Sequence, residues 1–111
     1  MFYDKDFFAN RLVELRLQLK KGNKDVSAQD MSLPIGQSKN YINKIEGQKA
    51  YPSMDMFFNI CEYLGITPIE FFDVDIKNPT LLNELIAELQ GMDNETLDCF
   101  LLLAKKLRSK K

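Results

Sequence analysis

The chain has 111 residues, 45% of them apolar, enough for one domain, with or without an extension, that buries a core of its own. Fifteen Lys and Arg residues are balanced by sixteen Asp and Glu residues, so a chain that is basic throughout is excluded. No segment resembles a signal peptide, and the apolar run from Cys99 to Ala104 is too short to cross a bilayer. We therefore expect a cytoplasmic protein that does not associate with membranes.

The residues needed for most enzyme and metal sites are missing from this sequence. It has no histidine, no Cys-x-x-Cys pair and no Gly-rich phosphate loop, so neither a nucleophile–histidine pair nor a nucleotide site is predicted. Cys61 and Cys99 are interpreted as small apolar residues in a reducing compartment, not as ligands or disulfide partners. The prediction is a protein that is not an enzyme and that uses no cofactor and no metal.

The first predicted helix starts at Asp4 or Asp6 and ends by Gly22-Asn23. One apolar stripe runs along it, formed by Phe8, Leu12, Leu15 and Leu19. Lys20, Lys21 and Lys24 cluster at its end, where cations suit the helix dipole, with phosphate contact as the alternative interpretation.

Residues 26–46 predict a short helix, a glycine turn and a second short helix. Ser27 is the expected N-cap of the first, and Asp30 is the acidic residue of an imperfect capping box. Pro34 predicts that this helix ends a turn early, and Gly36 supplies the freedom that the turn needs. Ser38 is the expected N-cap of the next helix.

The second short helix has one apolar side and one polar side. Tyr41, Ile42 and Ile45 recur at helical spacing, which turns the polar residues outward: Lys39, Asn40, Asn43 and Lys44. Their donors and acceptors are of the kind that read base edges in DNA. Spacing alone fits equally well with a helical bundle whose polar side chains are merely solvated.

Two further helices are predicted before a linker. Ser53 caps one that carries Phe57, Ile60, Cys61 and Leu64 and ends at Gly65. The next begins at Thr67-Pro68-Ile69-Glu70, an N-cap, a proline at the first position and a capping-box acid. Phe71 and Phe72 are expected to pack onto the first helix.

A linker is predicted over 74–79, followed by a helical hairpin over 80–111. Its second helix has more apolar surface than an ordinary stripe, and two interpretations stay open. It either packs back on the first domain as additional core or forms the interface of a homodimer. The interface residues would be Leu97, Phe100, Leu101, Leu103, Ala104 and Leu107.

Across residues 7–72 the chain resembles the Cro/lambda-repressor-type (XRE family) helix-turn-helix regulators of bacteria and phages. The resemblance is carried by Leu12, Leu15, Arg16, Ser27, Met31, Gly36, Ser38, Tyr41, Ile42, Lys44, Ile45, Glu46, Pro52-Ser53, Leu64-Gly65-Ile66 and Glu70-Phe71-Phe72. It implies an all-α fold: a five-helix lambda-repressor-like DNA-binding domain over 1–73, here followed by a two-helix C-terminal extension. In that family the third helix lies in the major groove of double-stranded DNA.

The resemblance also implies site residues. The base-reading side chains would be Ser38, Lys39, Asn40, Asn43 and Lys44, and the phosphate-binding residues Ser27, Gln29, Gln48 and Lys49. The family commonly has a glutamine where this chain has Ala28, so Gln29 stands one place late. The expected function is a transcriptional repressor that binds a (pseudo)palindromic operator as a homodimer. The alternative is a protein-interaction adaptor that uses the helix-turn-helix as a scaffold, favoured by the neutral charge of the first domain.

Overall fold

The computed structural model describes residues 3–21 and 24–109, and this part of the chain is mostly helical, as the all-α prediction requires. Its elements in chain order are α1 (Lys5–Gln18), β1 (Lys20–Lys21), β2 (Lys24–Asp25), α2 (Ala28–Ser32), α3 (Tyr41–Glu46), α4 (Met54–Leu64), α5 (Pro68–Phe72), α6 (Pro79–Leu89) and α7 (Asn94–Ser109). The chain divides into two compact units, Met1–Leu81 and Leu82–Lys111.

The helix ends follow the capping residues of the sequence. The Asp4 carboxylate accepts from the N–H of Phe7 at 2.9 Å and starts α1. Thr67 and Glu70 form the reciprocal capping box of α5, with Pro68 at its first position. Gly65, at φ +72°, ends α4 in the left-handed conformation that a side chain disfavours. These three predictions are confirmed.

The segment after α1 is different from the prediction. Helix α1 ends at Gln18, and Lys20–Lys21 pairs antiparallel with Lys24–Asp25, so these lysines do not stand in a last helical turn. The reason is that Leu19 is already extended and that the Lys20 ammonium pairs with the Asp25 carboxylate. That hydrogen bond and the charge of Lys20 lower the pKa of Asp25. Gly22 and Asn23, the predicted helix end, lie outside the described residues.

Side chains from each of the helices α1 to α5 contribute to the core of the first unit. The apolar stripes predicted for α1 and α4 are buried, except that Leu19, just after α1, is only partly buried. Phe71 of α5 lies 4.8 Å from Phe8 of α1 between ring centroids. The prediction that Phe71 and Phe72 pack onto the first helix is therefore confirmed for Phe71. The Phe72 ring also lies beside Phe7 and Phe8, with centroids 6.4 and 6.3 Å away, but it remains 38% exposed. The fully buried side chains here include Leu12, Leu15, Met31, Ile42, Ile45, Ile60, Leu64 and Phe71.

Arg11 ties the segment after α5 to α1. Its guanidinium is buried and donates to the carbonyls of Phe71, Glu70, Asp73 and Ile76, the last three at 2.8, 2.9 and 3.1 Å. These carbonyls include the free ones at the C-terminus of α5, where a cation is favoured. The Ile76 carbonyl belongs to the predicted linker, so one point of the linker backbone is bonded to this buried guanidinium.

The second unit consists of most of α6 and of α7, joined by a turn in which Gly91 has φ +87°. Asp93 accepts from the N–H of Thr96 at 2.8 Å and caps α7, which lowers the pKa of that carboxyl. None of the described α7 side chains is buried, and Phe100, Leu101, Leu103 and Leu107 are 44 to 58% exposed. Among the described helices, none has the length and apolarity to cross a membrane.

Candidate nucleic-acid interface

The turn between α2 and α3 is fixed by its own backbone. Helix α2 ends at Ser32, and the N–H of Gly36 donates to the carbonyl of Leu33 at 3.0 Å. Gly36 has φ +82°, a conformation in which glycine has no Cβ clash. The early end predicted from Pro34 and the role predicted for Gly36 are both confirmed.

Helix α3 begins later than predicted, and Ser38 is not its N-cap. Its first residue is Tyr41, and Asn40 at the cap position makes no side-chain cap hydrogen bond. Ser38 contributes only its carbonyl, which accepts from the N–H of Tyr41 at 3.0 Å. Residues 38–40 therefore form a turn that leads into α3.

Ser32 of α2 supplies the acceptor that this helix start lacks. Its hydroxyl is fully buried, donates to the carbonyl of Ala28 at 2.7 Å and accepts from the N–H of Ile42 at 3.0 Å. An N–H in the first turn of a helix has no partner within the helix, so a side chain from elsewhere can satisfy it. The bond fixes the start of α3 against α2.

The end of α3 is fixed to α1 by an ion pair. Arg16 donates to both carboxylate oxygens of Glu46, at 2.7 and 3.0 Å, and also to the carbonyl of Val26 at 2.8 Å. The two side chains are only 14% and 11% exposed, which limits screening by solvent. Because α3 is anchored at both ends, its outward side chains start from a rigid backbone.

The five predicted base-reading residues are exposed and lie together on the turn and the outer side of α3. Ile42 and Ile45 are buried beneath them, as predicted, and burial raises the pKa of the half-buried Tyr41. Within residues 3–21 and 24–109, none of the five side chains has a hydrogen bond or an ion pair. They are Ser38, Lys39, Asn40, Asn43 and Lys44.

The local charge at this surface is positive although the first domain is neutral. Lys39, Lys44 and Lys49 are exposed, and the one acidic side chain of α3, Glu46, is already neutralised by Arg16. A site for an anion depends on where charges lie more than on their sum. These lysines can therefore approach phosphates or base edges.

The predicted phosphate-binding residues differ in whether their side chains already have hydrogen-bond partners within the protein. Gln29 and Lys49 are exposed. The Ser27 hydroxyl, in contrast, accepts from the backbone N–H of Asp30, and the Asp30 carboxylate accepts from the backbone N–H of Ser27. This reciprocal box is complete, so a carboxylate already occupies the start of α2. The Gln48 amide donates to the Asp6 carboxylate at 2.9 Å, and its backbone has φ 63°.

No family model, no curated protein and no solved structure matches the chain. The resemblance to helix-turn-helix regulators thus depends on the residues of the sequence alone. Within the described part of the chain, no group of three or more Cys, Asp or Glu side chains is placed to hold a metal ion.

Sequence reasoning missed Ser32, which positions this surface, and Arg11, which holds the segment after α5. Ser32 follows Ala28 and Met31 on the inner side of α2, so a serine at a core position was the available signal. Arg11 lies between buried residues of α1. A charged residue on an apolar helix face is rarely buried without partners, so its position was a signal that acceptors lie nearby.

Proposed function

We propose that this chain is a sequence-specific DNA-binding transcriptional repressor of the Cro/lambda-repressor type, acting as a homodimer on a (pseudo)palindromic operator. The observation that carries the proposal is the set of five exposed polar side chains on and before α3, free of partners among the described residues. A short helix held at both ends and carrying Lys and Asn outward is suited to the major groove. There, lysine donates to guanine and asparagine pairs with adenine.

The anchors of α3 support this proposal over a solvated helix surface. Ser32 holds the start and Arg16 holds the end, at distances of 2.7 to 3.0 Å. A base contact requires that side chains begin from a defined position, because its specificity comes from bond geometry.

The charges predict a modest non-specific affinity. Few lysines surround α3, and the start of α2 already carries the Asp30 carboxylate. Each neutralised phosphate contributes about −0.9 to the slope of log affinity against log salt, so the slope should be shallow. Most of the discrimination between DNA sequences would then come from contacts with base edges.

A homodimer would supply the contact area that one helix-turn-helix lacks. In α7, Leu97, Phe100, Ala104 and Leu107 follow a 3-4-3 spacing, the a and d positions of a coiled-coil seam. Leu101 and Leu103 flank that seam and are exposed. Two copies joined in this way would read half-sites about 34 Å apart.

The test begins with selection of duplexes from a randomised pool by the full chain. The affinity for the retained sequence is then measured at salt concentrations between about 50 and 200 mM. Lys39→Ala and Asn40→Ala should each lose about 1–3 kcal/mol of discrimination at one base position. Lys49→Ala should weaken all sequences alike and reduce the salt slope by about 1.

Lys77→Ala is the matched control, since Lys77 is an exposed lysine outside the helix-turn-helix. It should leave base preference unchanged. The assignment fails when Lys39→Ala and Asn40→Ala retain the wild-type base preference in a bound duplex.

The adaptor function remains the second candidate, because the apolar side of α7 is exposed and Gln48 and Ser27 are already engaged. It predicts that no duplex is enriched from the pool above the level of the Lys39→Ala/Asn40→Ala double variant.

A further inference from the structure

An open cavity of about 330 Å³ lies in the first unit between the start of α1, the loop before α4 and the end of α5. Its walls are mostly aromatic, and Asp4 is the carboxylate among its lining residues. We propose that this cavity binds a lipophilic organic cation, a quaternary ammonium group with an apolar or aromatic body. This proposal does not depend on the proposed DNA-binding function.

The rings form a connected wall with different orientations. Tyr3 meets Phe7 edge to face with centroids 5.0 Å apart, and Phe7 is nearly parallel to Phe72 at 6.4 Å. Phe72 is also 5.6 Å from Phe57, and Tyr3 and Phe72 remain 59% and 38% exposed. Ring faces that stay accessible carry the negative side of the aromatic quadrupole, which attracts cations.

The charge of the lining selects a cation over an anion or a neutral molecule. Asp4 Oδ1 accepts from the N–H of Phe7, and Oδ2 makes no hydrogen bond within the described residues. An anion would be repelled by this carboxylate. A neutral apolar ligand would desolvate it without compensation, which costs free energy. A quaternary ammonium group satisfies the carboxylate and the rings together.

Lys5 shows that a cation is accommodated at this wall. Its ammonium lies over the ring of Tyr51, 5.6 Å from the centroid, and Tyr51 lines the cavity although Lys5 itself does not. Lys5 therefore competes with an added cation for this ring. This gives the proposal two substitutions with opposite expected effects.

The size of the cavity fits a small molecule. Ligand sites commonly enclose about 300–1,000 Å³ and combine apolar walls with few polar groups, as this cavity does. Phe7, Phe57 and Phe72 of the wall belong to α1, α4 and α5, which share the core of the first unit, whereas Tyr3 and Tyr51 precede α1 and α4. The three phenylalanine rings are consequently held in place before a ligand arrives.

The experiment titrates the full chain with benzyltrimethylammonium and, separately, with neopentylbenzene, its uncharged carbon isostere. The changes in the chemical shifts of the ring protons during each titration give the dissociation constant, and the rings affected give the location of the bound molecule. We expect the cation to bind about 2- to 30-fold more tightly than the isostere, and to shift the ring-proton signals of Tyr3, Phe7, Tyr51 and Phe72.

Two variants test the charges at the cavity. Asp4→Asn keeps an N-cap side chain and should remove most of the preference for the cation. Lys5→Met should increase the affinity for the cation.

Each other outcome overturns the proposal. Equal affinity for the cation and its isostere would show an unselective apolar cleft. An unchanged preference in Asp4→Asn would exclude the carboxylate as counter-ion. Shifts confined to rings outside this wall, such as Phe100, or no binding of either probe would exclude the site itself.

Discussion

The backbone N–H of Ile42 donates to the buried hydroxyl of Ser32 at 3.0 Å, so a residue of α2 caps α3 across the turn. Ser32→Ala removes the acceptor and leaves that N–H buried without a partner. We expect a loss of about 1–3 kcal/mol in the free energy of unfolding, measured by urea denaturation.

Ser38→Ala is the matched control for this prediction. Ser38 is exposed and its hydroxyl has no partner among the described residues, so the change should stay within about 0.5 kcal/mol. A larger loss for Ser38→Ala than for Ser32→Ala would reverse our assignment of the cap.

The Arg16–Glu46 ion pair should contribute much more to stability than the Lys20–Asp25 pair. Glu46→Gln leaves a guanidinium that is 14% exposed without its counter-charge, and we expect a loss of about 2–4 kcal/mol. Asp25→Asn disrupts a pair whose side chains are 58% and 71% exposed and screened by solvent, so its loss should be much smaller. Thermal and urea denaturation of both variants test this ranking, and equal losses would contradict it.

Cys61 should make the protein less stable in alkaline solution. Burial raises the pKa of the Cys61 thiol from 9.0 to about 11, so the unfolded chain loses this proton at lower pH than the folded chain does. The stabilising contribution is therefore complete below pH 9 and is lost as the pH rises towards 11. This contribution to the free energy of unfolding is about 2–3 kcal/mol.

Urea denaturation between about pH 7 and 11 tests this prediction by comparison with Cys61→Ala. The variant should lose less stability over the alkaline range than the wild type. Cys99→Ala removes an exposed thiol and should follow the wild-type curve. Parallel curves for the wild type and Cys61→Ala would contradict the role of the buried thiol.

The coiled-coil seam that we propose for α7 predicts which of its apolar residues matter for association. Phe100→Glu or Leu107→Glu places a charge in the seam and should yield monomers in sedimentation equilibrium. Leu102→Glu makes the same kind of change at an exposed position on the opposite side of the helix. It should leave the dimer intact, and equal dissociation by all three variants would rule out this seam.

Local chemistry made much of the fold predictable from sequence. Helix starts at Asp4, Ser27 and Thr67 depend on side chains that bond to the backbone three residues later, and each is found in the structure. Gly36 and Gly65 have the positive φ that their predicted turns require. Such features depend on neighbours in sequence, although the same reasoning also predicted an N-cap at Ser38 that the structure does not have.

Features that depend on distant partners were not predictable in the same way. The hydroxyl of Ser32 meets Ile42 ten residues on, and Arg11 meets carbonyls about sixty residues away. The Gln48 amide is likewise engaged by Asp6, which spacing alone could not indicate. For the candidate interface, the exposed residues on and before α3 were predictable from the sequence, whereas the contacts of Ser32 and Arg16 that hold α3 are seen only in the structure.

The carbonyls around Arg11 decide where this chain can be shortened. A fragment that ended at Asp73 or Asp75 would lack the Ile76 carbonyl and also the Thr80 hydroxyl, which donates to Leu64 at 2.6 Å. The buried guanidinium of Arg11 would then lose an acceptor, and the fragment would partly unfold. An experiment on such a fragment could not separate this unfolding from the effect of removing the later helices. A boundary placed beyond Leu81 retains these contacts, and limited proteolysis of the intact chain should leave a resistant product that extends at least that far.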